Sequence, residues 1–271
     1  WDEHLRHWDE IHAGKTRDVN GRQAPDARER YLLYQTLIGA WPWAEHDLAT
    51  TPPPGFVERI QRFFEKAARE AKLNTSWTDP DGSYVEAIRG FVAEILEGPD
   101  AGAFRDELLP FARRTARIGV VHSLSQTLIK LTSPGVPDIF QGSELWDLRL
   151  VDPDNREPVD YDARRAVLGR VQEALASGRP RAEIVRDWLD RPEDGAIKLL
   201  VILTALGHRR DDPELYLRGE YDPLKPGGRH GDRLVAYRRT LAGRSVVVLA
   251  ARLVAPLMGD DASRWPPGAA V

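Results

Sequence analysis

The sequence predicts a mainly helical chain with a small β part. Three observations carry this expectation. Apolar residues recur at helical spacing through most of the first half. One short apolar run closed by a glycine turn, Gly135 to Gly142, interrupts that periodicity. Two β-rich runs, Leu234–Arg238 and Ser245–Leu249, are separated by a Gly-containing turn near the end, which is a hairpin signal.

The elements follow in order. Trp1, Leu5, Trp8 and Ile11 share one helix face. A polar loop is expected from Gly14 to Pro25. Asp26 with Glu29 forms a capping-box start for a helix carrying Tyr31, Leu32, Leu37 and Ile38, which Gly39 and Pro42 stop. After a Pro-rich hinge, Thr51 to Gly55, the run Phe56, Ile60, Phe63, Phe64, Ala67, Ala68, Ala71 traces an amphipathic helix. Ser83 and Glu86 are read as the cap of the next, with Ile88, Phe91, Val92 and Ile95 inside it. A further helix is expected from Phe104 to Lys130, then a strand at Gly135–Gly142. Helical spacing returns at Tyr161–Ala176, with Gly178 as its cap, near Ile184–Leu189, and at Ala196–His208. A complete (β/α)8 barrel needs eight strand–helix units in about 250 residues. This sequence offers one, so it can supply the last part of such a barrel.

Composition narrows the function classes. The net charge of −4 with scattered basic residues gives no footprint for nucleic acid or an anionic membrane. The chain has no cysteine, which excludes disulfides, thiolate metal sites and cysteine nucleophiles, and fits a reducing, cytoplasmic setting. No apolar stretch approaches the ~18 residues of a membrane span. The chain begins at Trp1 and contains one Met, and is read as a processed product, an engineered chain or a segment whose upstream part is absent. Tryptophan is abundant, with eight residues, and is read as core filler ahead of sugar platform.

Chemistry is concentrated between Ser133 and Asp160. The predicted strand ends at Gly142 and is followed by a long polar loop bearing Glu144, Asp147, Arg149, Asp152, Asp154, Asn155 and Arg156. Loops at the C-terminal ends of barrel strands carry active sites. Carboxylates, an amide and guanidinium groups hold donors and acceptors in directions that suit sugar hydroxyls. Asp-Pro-Asp-Asn is equally good turn chemistry, and from composition alone the turn reading leads.

A family resemblance shifts that balance. Gly135, Pro137, Phe140, Gly142 and Glu144 look like the strand-eight signature of the α-amylase clan. Several blocks resemble the maltooligosyl trehalose synthases of that clan. They are Lys130–Asp138 with Asp152–Arg156, Tyr31–Leu37 with Gly39–Pro42, Arg69–Lys72 with Thr75–Trp77, Leu206–Arg209, and Gly219–Leu224. They occur in family order across most of the chain. Two positions depart from the pattern: Phe140 stands where tyrosine is expected, and Glu157 where arginine is expected.

The resemblance implies an intramolecular transglucosylation on a maltooligosaccharide or other α-1,4-glucan. An aspartate attacks the anomeric carbon and a glutamate protonates the leaving oxygen. The released reducing-end glucose turns and returns its anomeric hydroxyl, so an α-1,4 link becomes α,α-1,1. The resemblance implies that residues 1–120 are a helical insertion, 121–210 the C-terminal end of the barrel, and 211–271 a C-terminal antiparallel β-domain. Gln141, Glu144, Asp152, Asp154, Asn155 and Arg156 are the expected substrate-binding residues. The clan's catalytic carboxylates lie on earlier strands, and the one His-Asp dipeptide, His46-Asp47, is read as coincidence, so no catalytic residue is assigned. Another amylase-clan glucosidase and a non-catalytic carbohydrate-binding or structural fragment are the competing readings.

The remaining signals read as structural. His4 and His7 share a helix face but make an incomplete metal set, so no metal is expected. Arg69 and Lys72 are read as surface charge, and Trp41 and Trp77 as packing anchors. Gly227-Gly228 lacks a P-loop lysine, so no nucleotide or other cofactor is expected. A truncated barrel would expose strand edges, which predicts self-association.

Overall fold

The structure is a computed structural model that describes residues 1–42, 51–151 and 154–258, the side chain of Asn155 excepted. His46 and Asp47 lie outside the described residues. The chain divides into two units, Trp1–Ala116 with Leu148–Pro158, and Arg117–Asp147 with Val159–Val271.

The first unit is built from helices around an aromatic centre. Helix α1 spans Asp2–His12, α2 Ala27–Ala40, α3 Phe56–Ala71 and α4 Gly82–Glu97, followed by α5, Ala101–Thr132, as far as Ala116. Trp8 is fully buried and its ring meets Tyr34 at 5.7 Å, Phe104 at 5.6 Å and Phe111 at 6.1 Å between centroids. That one side chain ties α1, α2 and α5 together. On α3 the residues Phe56, Ile60, Phe64 and Ala68 are buried at i, i+4 spacing, as the amphipathic pattern requires.

The start of α2 has the predicted cap. Asp26 accepts from the amides of Arg28 and Glu29, both at 2.9 Å, and Glu29 accepts from the Asp26 amide at 2.8 Å. The start of α4 differs from expectation. Asp81, not Ser83, is the N-cap, accepting from the Tyr84 amide at 3.0 Å. Aspartate is as good a cap as serine, and Gly82-Ser83 falls within the first turn.

The polar loop expected at 14–25 contains a small hairpin, β1 Arg17–Val19 and β2 Arg22–Ala24. Asn20 and Gly21 have φ of 55° and 77°, the positive values that a type I′ turn demands. The Asn-Gly signal was present in the sequence, but the flanking strands are too short to show alternation.

The second unit holds the rest of α5, then α6 Tyr161–Ala176, α7 Arg181–Asp190, α8 Ala196–Asp211, α9 Pro213–Arg218 and α10 Ala255–Met258. Its three-stranded antiparallel sheet has the order β3 Glu220–Leu224, β4 Leu234–Leu241, β5 Arg244–Ala251. The predicted hairpin is β4–β5, closed by Ala242 and Gly243 at positive φ. Strand β3 was not predicted as a strand; it carries Pro223 and lies at the sheet edge, where a missing N–H is tolerated. Arg239 of β4 is 1% exposed and donates to the carbonyls of Tyr216 at 2.9 Å, Gly219 at 2.8 Å, and Glu220 and Thr132 at 3.3 Å. A guanidinium has the donors to gather these backbone acceptors, and so fixes the sheet to the helices before it.

The strand expected at Gly135–Gly142 does not form. The backbone there is irregular and pairs with no strand among the described residues. Val136 is 88% exposed and Phe140 is 52% exposed. The physical reason is that a barrel strand is held by ladders to neighbours on either side, and the described residues supply no such neighbour. Helices, which satisfy their hydrogen bonds internally, form where predicted.

One buried group gives this fold a pH dependence. His12 is 2% exposed. The Tyr34 hydroxyl donates to the Trp8 carbonyl at 3.2 Å, which leaves His12 Nδ1 as the donor to that hydroxyl at 2.9 Å. Burial, reinforced by Lys15, lowers the imidazole from 6.5 to about 4. Between these values the unfolded chain takes up a proton and the folded one does not. Stability from this group is therefore full above pH ~6.5 and falls as pH drops toward about 4, by roughly 3 kcal/mol in total. Thermal unfolding followed from pH 7 to 4.5 should show a falling midpoint, and His12→Phe should flatten that slope. An unchanged slope in His12→Phe would mean other groups set the acid response.

Candidate functional site

In the second unit, Gln141 and Glu144 lie on the turn after the irregular 135–140 segment. The Ser143 amide donates to the Phe140 carbonyl at 2.9 Å and fixes this turn. Arg164 of α6 clamps it from the side: its Nε donates to Glu144 at 3.2 Å and its Nη2 to the Gly142 carbonyl at 2.5 Å. Glu144 is thereby oriented by a guanidinium that the sequence reading did not single out. Gln141 is exposed.

Lys198 of α8 supports the same loop. It is nearly buried, donates to the Leu145 carbonyl at 2.9 Å, and lies 5.5 Å from the centroid of the Trp146 ring. Burial lowers its pKa, Lys130 adds to that, and Asp147 and Glu144 act in the opposite sense. The Trp146 indole N–H donates to the Pro192 carbonyl at 2.5 Å. Gly195 has φ of +74°, and a Cβ there would stand 3.1 Å from Leu145 Cβ. Only glycine fits both that backbone and that approach.

Beside this loop is a polar recess of about 240 Å³ lined by Gln126, Thr127, Lys130, Ser143 and Lys198, among others. A larger cavity of about 580 Å³ in the same unit is lined mainly by aliphatic side chains, among them Leu128, Leu200, Val246 and Val248. Ser125, Thr132, Arg181, Thr204, His208 and Tyr216 are the polar members of its lining.

Asp154, Asn155 and Arg156 form a short 3-10 turn in the first unit. Asp154 is 3% exposed. Its carboxylate accepts from the Leu150 amide at 3.0 Å and from Arg59 of α3, which also donates to the Leu148 carbonyl. Asp154 therefore holds the loop together from inside. Arg156 is exposed. Asp152 and the side chain of Asn155 lie outside the described residues.

Of the tryptophans, Trp41 is 3% exposed and packs on Phe56 at 5.0 Å, as expected of an anchor. Trp77 corrects the expectation: it is 56% exposed. Its loop is closed by its own hydrogen bonds and leaves the ring outside the core. His4 packs on Phe111 at 4.6 Å, and His7 Nε2 lies 3.1 Å from Glu107. Among the described residues no group of three His, Cys, Asp or Glu could hold a metal ion. No helix among them is long and apolar enough to cross a membrane.

Comparison with known proteins gives these features a context. No family model matches the chain. A Mycobacterium tuberculosis protein named "Putative maltooligosyl trehalose synthase" is 36% identical over 216 residues, which is 80% of this chain and 24% of that protein. A crystal structure of a maltooligosyl trehalose synthase superposes with a TM-score of 0.71 at 25% identity, covering 93% of this chain and 34% of the other. The maltooligosyltrehalose synthase of Arthrobacter ramosus gives a TM-score of 0.64 at 30% identity, over 94% of this chain and 29% of the other. The chain thus spans about a quarter to a third of the length of each relative. The class is that of a segment corresponding to part of a larger enzyme. The family is the maltooligosyl trehalose synthases, to which this chain belongs as such a segment.

The Arg59–Asp154 pair yields a stability prediction. Arg59→Ala leaves a buried carboxylate without its cation and should cost about 3–5 kcal/mol. The double variant Arg59→Ala/Asp154→Ala should cost less than the sum of the two single changes, because the orphaned charge is gone. Denaturant unfolding of the three variants reads this; strict additivity would show that the two side chains do not depend on each other.

Proposed function

We propose that the chain is the C-terminal segment of an enzyme that rearranges the reducing end of a maltooligosaccharide, turning its α-1,4 link into an α,α-1,1 link. The observation that carries the reading is the extent of the likeness. It runs over most of the chain, in sequence and in fold, and is not confined to one motif.

In this reading residues 1–120 are the helical insertion, 121–210 the end of the barrel, and 211–271 the C-terminal β-domain. Water must be kept from the glucosyl intermediate, because it would hydrolyse what the enzyme needs to transfer. The chain's own residues orient the reducing-end glucose while it turns. Gln141, Glu144, Asp152, Asn155 and Arg156 present donors and acceptors to its hydroxyls. Asp154, already engaged by Arg59 and the Leu150 amide, contributes by shaping the loop. Arg164 and Lys198 keep the 142–147 turn in place by gripping its carbonyls. The carboxylates that break and form the glycosidic bond belong to the part of the enzyme outside this segment. A cytoplasmic location accords with a chain free of cysteine. The segment alone is proposed to self-associate through surfaces that the rest of the enzyme would cover, and a sharp monomer in light scattering at high concentration would count against that.

The test is product formation from maltopentaose, with intact mass confirming what is assayed. The 271-residue chain should yield no non-reducing product, and the full-length enzyme should yield a product ending in trehalose. Turnover by the 271-residue chain would overturn the assignment of catalysis to residues outside it, and a full-length enzyme that only hydrolyses would overturn the reaction.

A further inference from the structure

Trp77 is held out from the first unit by a frame that is itself well fixed. The Asn74 carbonyl accepts from Arg22 at 3.0 Å, and the Asn74 side chain donates to Asp26 at 3.1 Å. Thr75, buried, accepts from the Asp81 amide at 3.0 Å, and Arg22 pairs with Asp81 at 2.9 Å. Ser76 accepts from the Asp79 amide at 2.8 Å, which closes the turn around Trp77. Each side of the loop is tied down while the ring is left 56% exposed. Leaving a ring of this size in water forgoes the burial that usually stabilises a tryptophan.

The ring is also prepared on one face. The Arg69 guanidinium stacks over it at 4.7 Å from the centroid and is anchored by Glu65 at 2.8 Å. The Trp77 indole N–H has no hydrogen-bond partner among the described residues, and neither does the Lys72 ammonium at the left-handed C-cap of α3. A flat apolar face with donors at hand suits a ligand that is apolar on its face and rich in acceptors at its edge. A pyranose ring meets that description: its C–H groups stack and its hydroxyls accept. A cationic ligand is disfavoured, because Arg69 already occupies the ring's electron-rich surface with a positive charge.

We propose that Trp77, backed by Arg69, is a stacking platform for one glucose ring of an α-1,4-glucan. This rests on the reading that the parent enzyme acts on maltooligosaccharides, and adds a contact remote in sequence from the 141–156 loop.

The experiment is a maltopentaose titration of the 15N-labelled 271-residue chain, following the indole N–H resonances and assigning that of Trp77 by its loss in Trp77→Phe. The expected result is a saturable shift of the Trp77 resonance, with affinity about tenfold weaker in Trp77→Ala, read from the backbone amides around the loop, and less weakened in Trp77→Phe. Circular dichroism should be unchanged in both, since the ring supports no core. No shift at about 50 mM sugar would overturn the platform. So would binding that survives Trp77→Ala at full strength; either result leaves product formation by the full-length enzyme untouched as the separate test of its reaction. A Trp77 resonance that moves with protein concentration and not with sugar would also overturn it, by showing that a second chain covers the ring.

Discussion

Backbone hydrogen bonding sets what this segment can become. A helix satisfies its amides and carbonyls from its own chain, so every strongly periodic stretch has the means to fold where it stands. A strand depends on another strand. Residues 135–140 have the composition of a barrel strand, pair with no strand among the described residues, and run as irregular chain with Val136 in water. Strands β4 and β5 have each other, joined by a two-residue turn, and they form.

Where regular structure is absent, cations take over the carbonyls. Arg59 draws in the Leu148 carbonyl, Arg164 that of Gly142, Lys198 that of Leu145, and Arg239 those of Tyr216 and Gly219. The first three reach from a helix to a loop, and Arg239 reaches from β4 to the C-terminal end of α9. Buried carbonyls without partners are costly, and a fixed guanidinium offers several donors at once. The polar loop that the family resemblance marks for substrate is therefore a supported structure, with Asp154 turned inward as one of its fastenings.

The likeness to maltooligosyl trehalose synthases was legible in the sequence because it resides in ordered blocks, and identity over most of the chain agrees with it. The candidate site was legible only in part. Glu144 and Asp154 stand out by their chemistry, but the partners that decide their orientation, Arg164 and Arg59, lie 20 and 95 residues away. Nothing at the loop itself announces them. The exposure of Trp77 is hidden from the sequence for a related reason: tryptophan is usually buried, and this one sits on a hydrogen-bonded turn around Thr75, Ser76 and Asp81.

By itself the sequence determined the helices, their faces and the capping box at Asp26, because these depend on spacing and on neighbours within a few residues. It also determined the β4–β5 hairpin, since its pairing is local. Tertiary structure alone decided whether 135–140 would be a strand, which arginine holds which loop, and which tryptophan faces water. Those outcomes rest on contacts between residues far apart in the chain, and no local pattern encodes a partner that folding has yet to bring near.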